Sequence, residues 1–397
     1  AEPGTSAYFG SMGYMTAKDW TGFRNSLSNW GAPSENQIFA DTKGDIGWVA
    51  AGKVPRRAGW DGLTPVPGDG RYEWDGFLSL DELPSLHNPP SGWFASANQL
   101  NLPADYPYAE RRVGFEWSND ARMRRIVEVL SADGKQTLDS SMALQTDPTD
   151  VTSRRMQALL APLKTDDVKL AAALDLIRGW DGRTDAASAG AALYEIWTTK
   201  HLGRVTIAKA APPAAAAIMG NGDVAAVMSL LEAPDASLGA DPGAAREAIL
   251  RESLAAAYDE VAGKLGPDPK AWSWGALHRA RFDHALTPRV PSAEREAWSS
   301  GTAPMPGTAL SPLAASWRAS DYRVTAGASF RMVLDVGAWD NSRVINTPGQ
   351  SGEPGTAHFR DLFPLWSKGQ YVPLSYSRKA VEAVTETVLK LTPAPAS

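Results

Sequence analysis

Apolar residues recur at helical spacing in some stretches of the chain and alternate in others. In residues 16–31, TAKDWTGFRNSLSNWG, the side chains of Trp20, Phe23 and Leu27 fall on one face and Gly31 follows, which predicts a helix. Residues 36–52, NQIFADTKGDIGWVAAG, make two β-rich runs around Lys43-Gly44, a hairpin signal. Residues 52–92 are rich in Pro and Gly, including GLTPVPGDG and HNPPSG, and predict mostly loop. A long irregular stretch of this kind is usually functional or wrapped over a core. WFASAN, residues 93–98, reads as a strand, and NDARMRRIVEVLSA, residues 119–132, as a helix.

From about 151 to 300 the periodicity becomes helical. TSRRMQALLAPL, TDDVKLAAALDLIRGW and GAAREAILRESLAAAYDEVAGKLG carry apolar residues at i, i+3, i+4 spacing, with Thr165 expected as an N-cap and Gly266 as a stop. Two prolines in AKAAPPAAAAIMG predict a break in an otherwise Ala-rich helix. Residues 329–337 and 342–349 return to strand character. The expected class is α+β: one interlocked domain with strands, loops and candidate chemistry in 1–131, a mainly helical section in 151–300, and strands in 320–397 returning to the sheet.

Composition narrows the function. The 397 residues contain no Cys, which removes thiol nucleophiles, thiolate metal sites and disulfides together. A net charge of −6 with interleaved signs offers no basic stripe, so no nucleic-acid partner is expected. No apolar run reaches the ~18 residues of a membrane span. The chain opens on AEPGTSAYFG, without an initiator Met or the apolar stretch of a signal peptide, and reads as processed or as part of something longer. HExxH, GxGxxG, the phosphate-binding loop, GxSxG and SxxK are all absent. The five His never fall at metal-ligand spacing, and His278 and His284 read as packing and surface residues. The 15 Trp are spread along the chain, as core residues would be, rather than repeated as a carbohydrate-stacking module.

Longer blocks carry more. FADTKGDIGWVAAGKVPRR, TPVPGDGRYEWDG, NPPSGWFASANQ, LHRARFDH and RMVLDVGAWDNSRVINTPGQSGEPGTAHFRDLFPLW resemble, in order, the β-subunit of the penicillin acylase family of N-terminal nucleophile hydrolases. The resemblance implies part of an αββα sandwich and an amidohydrolase that forms an acyl-serine intermediate. In that family a precursor cuts itself, and the newly exposed N-terminal Ser attacks an amide carbonyl with its own α-amine as base. Ala1 has no nucleophilic atom, and the resemblance places it roughly 140 residues past the usual nucleophile. The implied partners are therefore the α-chain and the N-terminal part of the β-chain of the same precursor, with a small acyl amide as substrate. A periplasmic or secreted bacterial location is implied as well.

The resemblance also assigns residues. Asn98, in SANQ, matches an Asn whose side-chain amide donates to the oxyanion, and Arg122, in WSNDAR, an Arg that fixes that Asn. Glu110 matches a carboxylate ligand of a structural calcium, where the family pattern has Asp, and Gly62 a residue that gives a backbone carbonyl to the same ion. Glu35 falls at an apolar wall of the acyl pocket, and Ser11 at a bulky aromatic one in phenylacetyl-specific members. These two departures predict an acyl group larger or more polar than phenylacetyl, bearing an amine or a hydroxyl. N-acyl homoserine lactone acylases share the same blocks and give the alternative substrate. A non-catalytic binding protein of the same fold is the rival from another class, against which the retention of Asn98 and Arg122 argues.

Overall fold

The computed structural model describes residues 8–132 and 134–393. The chain divides into two compact units, residues 1–123 with 336–338 and residues 124–335 with 339–397.

In the first unit, two short helices, α1 (Ser11–Tyr14) and α2 (Trp20–Ser26), precede the expected hairpin. The helix starts at Trp20 rather than 16 because the Asp19 carboxylate accepts from the Gly22 amide and caps it there. Strands β1 (Glu35–Ala40) and β2 (Ile46–Ala51) pair antiparallel with Ile38 opposite Trp48. Asp41 closes their turn by accepting from the Lys43 and Asp45 amides. The Pro/Gly-rich stretch is loop apart from β3 (Pro55–Arg57), paired with β4 (Trp74–Phe77), and β5 (Ser85–His87), which adds to the free edge of β2. Phe23, Leu27, Trp30, Val49 and Ala51 form the core beneath. Only glycine lets α2 close on β2: a Cβ on Gly47 would lie 2.1 Å from the Trp20 ring.

Residues 93–98 are irregular, not a strand. Phe94 stacks on the fully buried Trp48 at 4.7 Å, and the Ala97 amide donates to its near neighbour Gln99 instead of a ladder partner. This segment hands the chain to α3 (Ala121–Leu130), which falls where a helix was expected.

The second unit is mainly helical, and its core includes Leu174, Ile177, Leu193, Ile196, Leu250 and Leu254. The helix Pro242–Leu265 ends, as expected, at Gly266 with φ +95°. The Ala-rich stretch breaks at its prolines, one helix ending at Ala210 and the next beginning at Pro213. The N-cap expected at Thr165 lies two residues later: Asp167, whose carboxylate accepts from the Leu170 amide, starts the helix Val168–Arg178. Thr165 Oγ1 accepts from the Asp167 amide and so orients the cap. Among the largest fully buried side chains are Trp48, Trp197, Trp272 and Trp274, so packing does account for much of the Trp content. His278 is buried too, stacked on Trp274 at 4.5 Å with both ring nitrogens against backbone carbonyls.

The C-terminal strands pair with one another. In the second unit β6 (Phe330–Val333), β7 (Arg343–Asn346) and β8 (Val372–Pro373) form a three-stranded antiparallel sheet. Pairing across a nine-residue connection closes a short loop, which costs less chain entropy than joining a strand some 290 residues away. No helix among the described residues is long and apolar enough to cross a membrane.

Candidate functional site

The segment between β5 and α3 builds a concave site in the first unit. Asn98 leads it in a left-handed conformation, φ +66°, a region Asn tolerates better than most residues because its short amide bonds locally. The Ser118 amide donates to the Asn98 carbonyl at 2.9 Å, tying residues 113–118 to this turn. Arg122, at the start of α3, donates from Nη2 to Asn98 Oδ1 at 3.0 Å. The amide's acceptor is thereby occupied, and among the described residues its Nδ2 has no hydrogen-bond partner. Burial lowers the Arg122 pKa from its ordinary value, yet a guanidinium stays charged at neutral pH, so its bond to Asn98 is charge-assisted.

Beside Asn98 lies a cavity of about 460 Å³, within the size range of small-molecule sites. Glu35, at the start of β1, lines it together with Asn98, Gln99, Asn101, Glu116 and Trp117. Asn36 organises its floor: its Oδ1 accepts from Trp48 Nε1 at 2.7 Å and from Asn101 Nδ2 at 3.0 Å, and its Nδ2 donates to Ser96 Oγ. The only hydrogen bond to the Glu35 carboxylate among the described residues comes from Gln37 Nε2 at 3.3 Å. The structure thus brings Asn98, Arg122 and Glu35 together. Ser11, in α1, is not among the residues that line this cavity. Gln99, Glu116 and Trp117 escaped sequence reasoning, because one residue after a matched Asn, or a Glu-Trp pair in a loop, has no spacing signal of its own.

Glu110 lines a second cavity, about 590 Å³, with Asp61 and four arginines, Arg56, Arg57, Arg111 and Arg112. Gly62 adjoins it at φ +91°, where a Cβ would lie 2.7 Å from Arg57 Nε. Arg56 and Arg111 share the Glu82 carboxylate, whose pKa falls to about 2, chiefly through its bond from Arg56. A hard cation needs several oxygen ligands, and among the described residues no three Asp, Glu or His side chains converge on one point. By themselves these residues do not fit calcium.

A sequence profile of the penicillin amidase family matches residues 1–383. Two relatives are an acyl-homoserine lactone acylase, QuiP, of Pseudomonas putida, 32% identical over 86% of this chain and 44% of its own, and the penicillin acylase 2 proenzyme of a Pseudomonas species, 31% identical over 92% of this chain and 47% of its own. The chain therefore spans less than half the length of these curated relatives. The solved structure of a thermostable penicillin G acylase from Alcaligenes faecalis shares the fold, with a TM-score of 0.68 over 98% of this chain and 72% of that one, at 19% identity.

Proposed function

The chain belongs to the penicillin amidase family, and from that premise we propose that it forms the oxyanion side of an N-acyl amide hydrolase. The observation that carries this reading is the bond from Arg122 to Asn98, which commits the amide oxygen and leaves Nδ2 as a donor at the edge of a ligand-sized cavity. In the proposed reaction a serine hydroxyl on a segment outside this chain attacks the acyl carbonyl carbon, and its proton passes to that serine's own α-amine. Asn98 Nδ2 donates to the oxyanion that develops on the carbonyl oxygen. Collapse expels the amine carrying a proton, and water then cleaves the acyl-serine ester to release the acid.

The partners this reading requires are the α-chain and the N-terminal part of the β-chain of a self-cleaving precursor, in a periplasmic or secreted compartment. A second substrate reading, an N-acyl homoserine lactone, is favoured by the names of several relatives. The protein expressed from its full-length gene should hydrolyse members of a panel of N-acyl amides that includes N-acyl homoserine lactones, with release of the free acid followed by chromatography. Failure to cleave any amide in the panel would remove the proposal, and the preferred member separates its two forms.

A structural calcium belongs to this proposal only with further oxygen ligands from beyond the described residues, since Glu110 shares its cavity with four arginines. If it is bound, chelation should lower the melting temperature before it lowers the rate of the surviving enzyme. Unchanged metal content and melting temperature in Glu110→Ala would remove Glu110 as a ligand.

A further inference from the structure

We propose that Glu35, Glu116 and Trp117 form a cation subsite beside Asn98, so that the amide taken by this site carries a protonated amine. The inference rests on the reading of the Asn98 cavity as the amide site and names its substrate class.

The charge around the cavity is one-sided. Glu35 and Glu116 both line it, and among the described residues no Lys, Arg or His does. Neither carboxylate has an ion-pair partner among the described residues, and Glu116 has no side-chain hydrogen bond there either. Two carboxylates around one cavity repel each other, and a ligand ammonium relieves that repulsion in a way no residue of the wall does.

A second observation is independent of the carboxylates. Gln99 is only 7% exposed and lines the same cavity. Its Oε1 accepts from the Ala97 amide at 2.8 Å, which leaves Nε2 without a partner among the described residues. A donor left open on a cavity wall, on a side chain whose oxygen is already held, suits a bound polar ligand better than an alkyl chain. Trp117 decides the kind of cation. Metal ions seek several oxygen ligands, and among the described residues no third Asp, Glu or His joins Glu35 and Glu116, whereas an indole face attracts an organic ammonium through its quadrupole. The acidic walls and the ring together select an alkylammonium.

The protein expressed from its full-length gene should be assayed with 6-aminohexanoyl and heptanoyl p-nitroanilide, which match in length and differ in charge. Heptanoyl amides of cadaverine and of hexylamine place the same difference on the leaving group. One of the two charged substrates should exceed its neutral match in kcat/KM by about tenfold or more at low ionic strength, which also tells on which side of the scissile bond the amine lies. The preference should shrink about tenfold in Glu35→Gln or Glu116→Gln, and should weaken with salt in the wild type. Equal handling of charged and neutral amides, or a preference unmoved in both variants, overturns the inference while leaving amide hydrolysis standing.

Calorimetric binding of hexylammonium tests the subsite apart from catalysis. It should bind the wild type and lose about tenfold in affinity in the Glu35→Gln/Glu116→Gln double variant. Absence of binding, or equal binding by wild type and double variant, overturns the subsite. If hexylammonium binds as expected but no amide is cleaved, among these four or in the panel with N-acyl homoserine lactones, the subsite stands and the hydrolase reading falls.

Discussion

Asn98 joins a backbone constraint to a chemical one, and a substitution has to separate them. At φ +66° a side chain with a Cβ is held at a cost of order 1 kcal/mol or more, which glycine avoids. Asn98→Ala therefore mixes loss of the amide donor with backbone strain. Asn98→Gly removes the whole amide, the donor together with the acceptor for Arg122, while its relaxed turn offsets the loss of that one bond. In the proposed reaction the Gly variant should keep the wild-type melting temperature and KM while kcat falls by about 10²–10³. Single-turnover kinetics with thermal melts on both variants checks this, and an intact kcat in a folded Asn98→Gly protein would reduce Asn98 to a turn residue. The residue scale is also where the sequence was least legible by itself. An Asn, an Arg and a Glu have no spacing rule, and only the blocks around them singled them out. Gln99, Glu116 and Trp117 needed the cavity to be seen at all, because what joins them to Glu35 is a loop crossing that no period encodes.

Elements with a strong local cause were legible. The β1–β2 hairpin alternates around a turn that Asp41 closes, and the helix Pro242–Leu265 runs from the Asp241 cap to a glycine at positive φ. Errors fell where local signals compete. Thr165 and Asp167 both have cap chemistry, and the carboxylate took the Leu170 amide while the hydroxyl held the Asp167 amide. WFASAN has strand composition, but its apolar residues are satisfied by stacking on Trp48 and its amides by side chains, so no ladder forms. The strands after residue 329 are legible as strands from their alternation, which fixes the face a residue shows and says nothing of which edge it joins.

At the scale of the whole molecule, the pH dependence of stability rests in part on two acids buried inside the helical unit, of which Glu195 keeps its proton at neutral pH. Asp150 and Glu195 are both buried, with Asp150 fully inaccessible. Burial raises the Asp150 pKa to about 6, against the pull of its bonds from Thr152. Burial, then the charge of Asp150, raises Glu195 to about 8, only partly offset by the bond from Trp317 Nε1 at 3.0 Å. Between about pH 4.5 and 8 an unfolded chain has released the Glu195 proton that the folded protein still holds, so folding stability falls as pH rises across that window and levels off above it. His278 acts at the other end: burial lowers it to about 4, so stability falls as pH drops from about 6.5 towards 4, where the unfolded imidazole is charged and the folded one is not. Glu195→Gln keeps an acceptor for Trp317 and removes the titration. Its melting temperature relative to wild type should therefore rise steadily from pH 5 to pH 8, with a gap in stability on the order of a few kcal/mol at the alkaline end. A constant offset between the two proteins across that range would show that the carboxyl is ionised in the fold, and that Trp317 or solvent compensates a charge which burial alone would forbid.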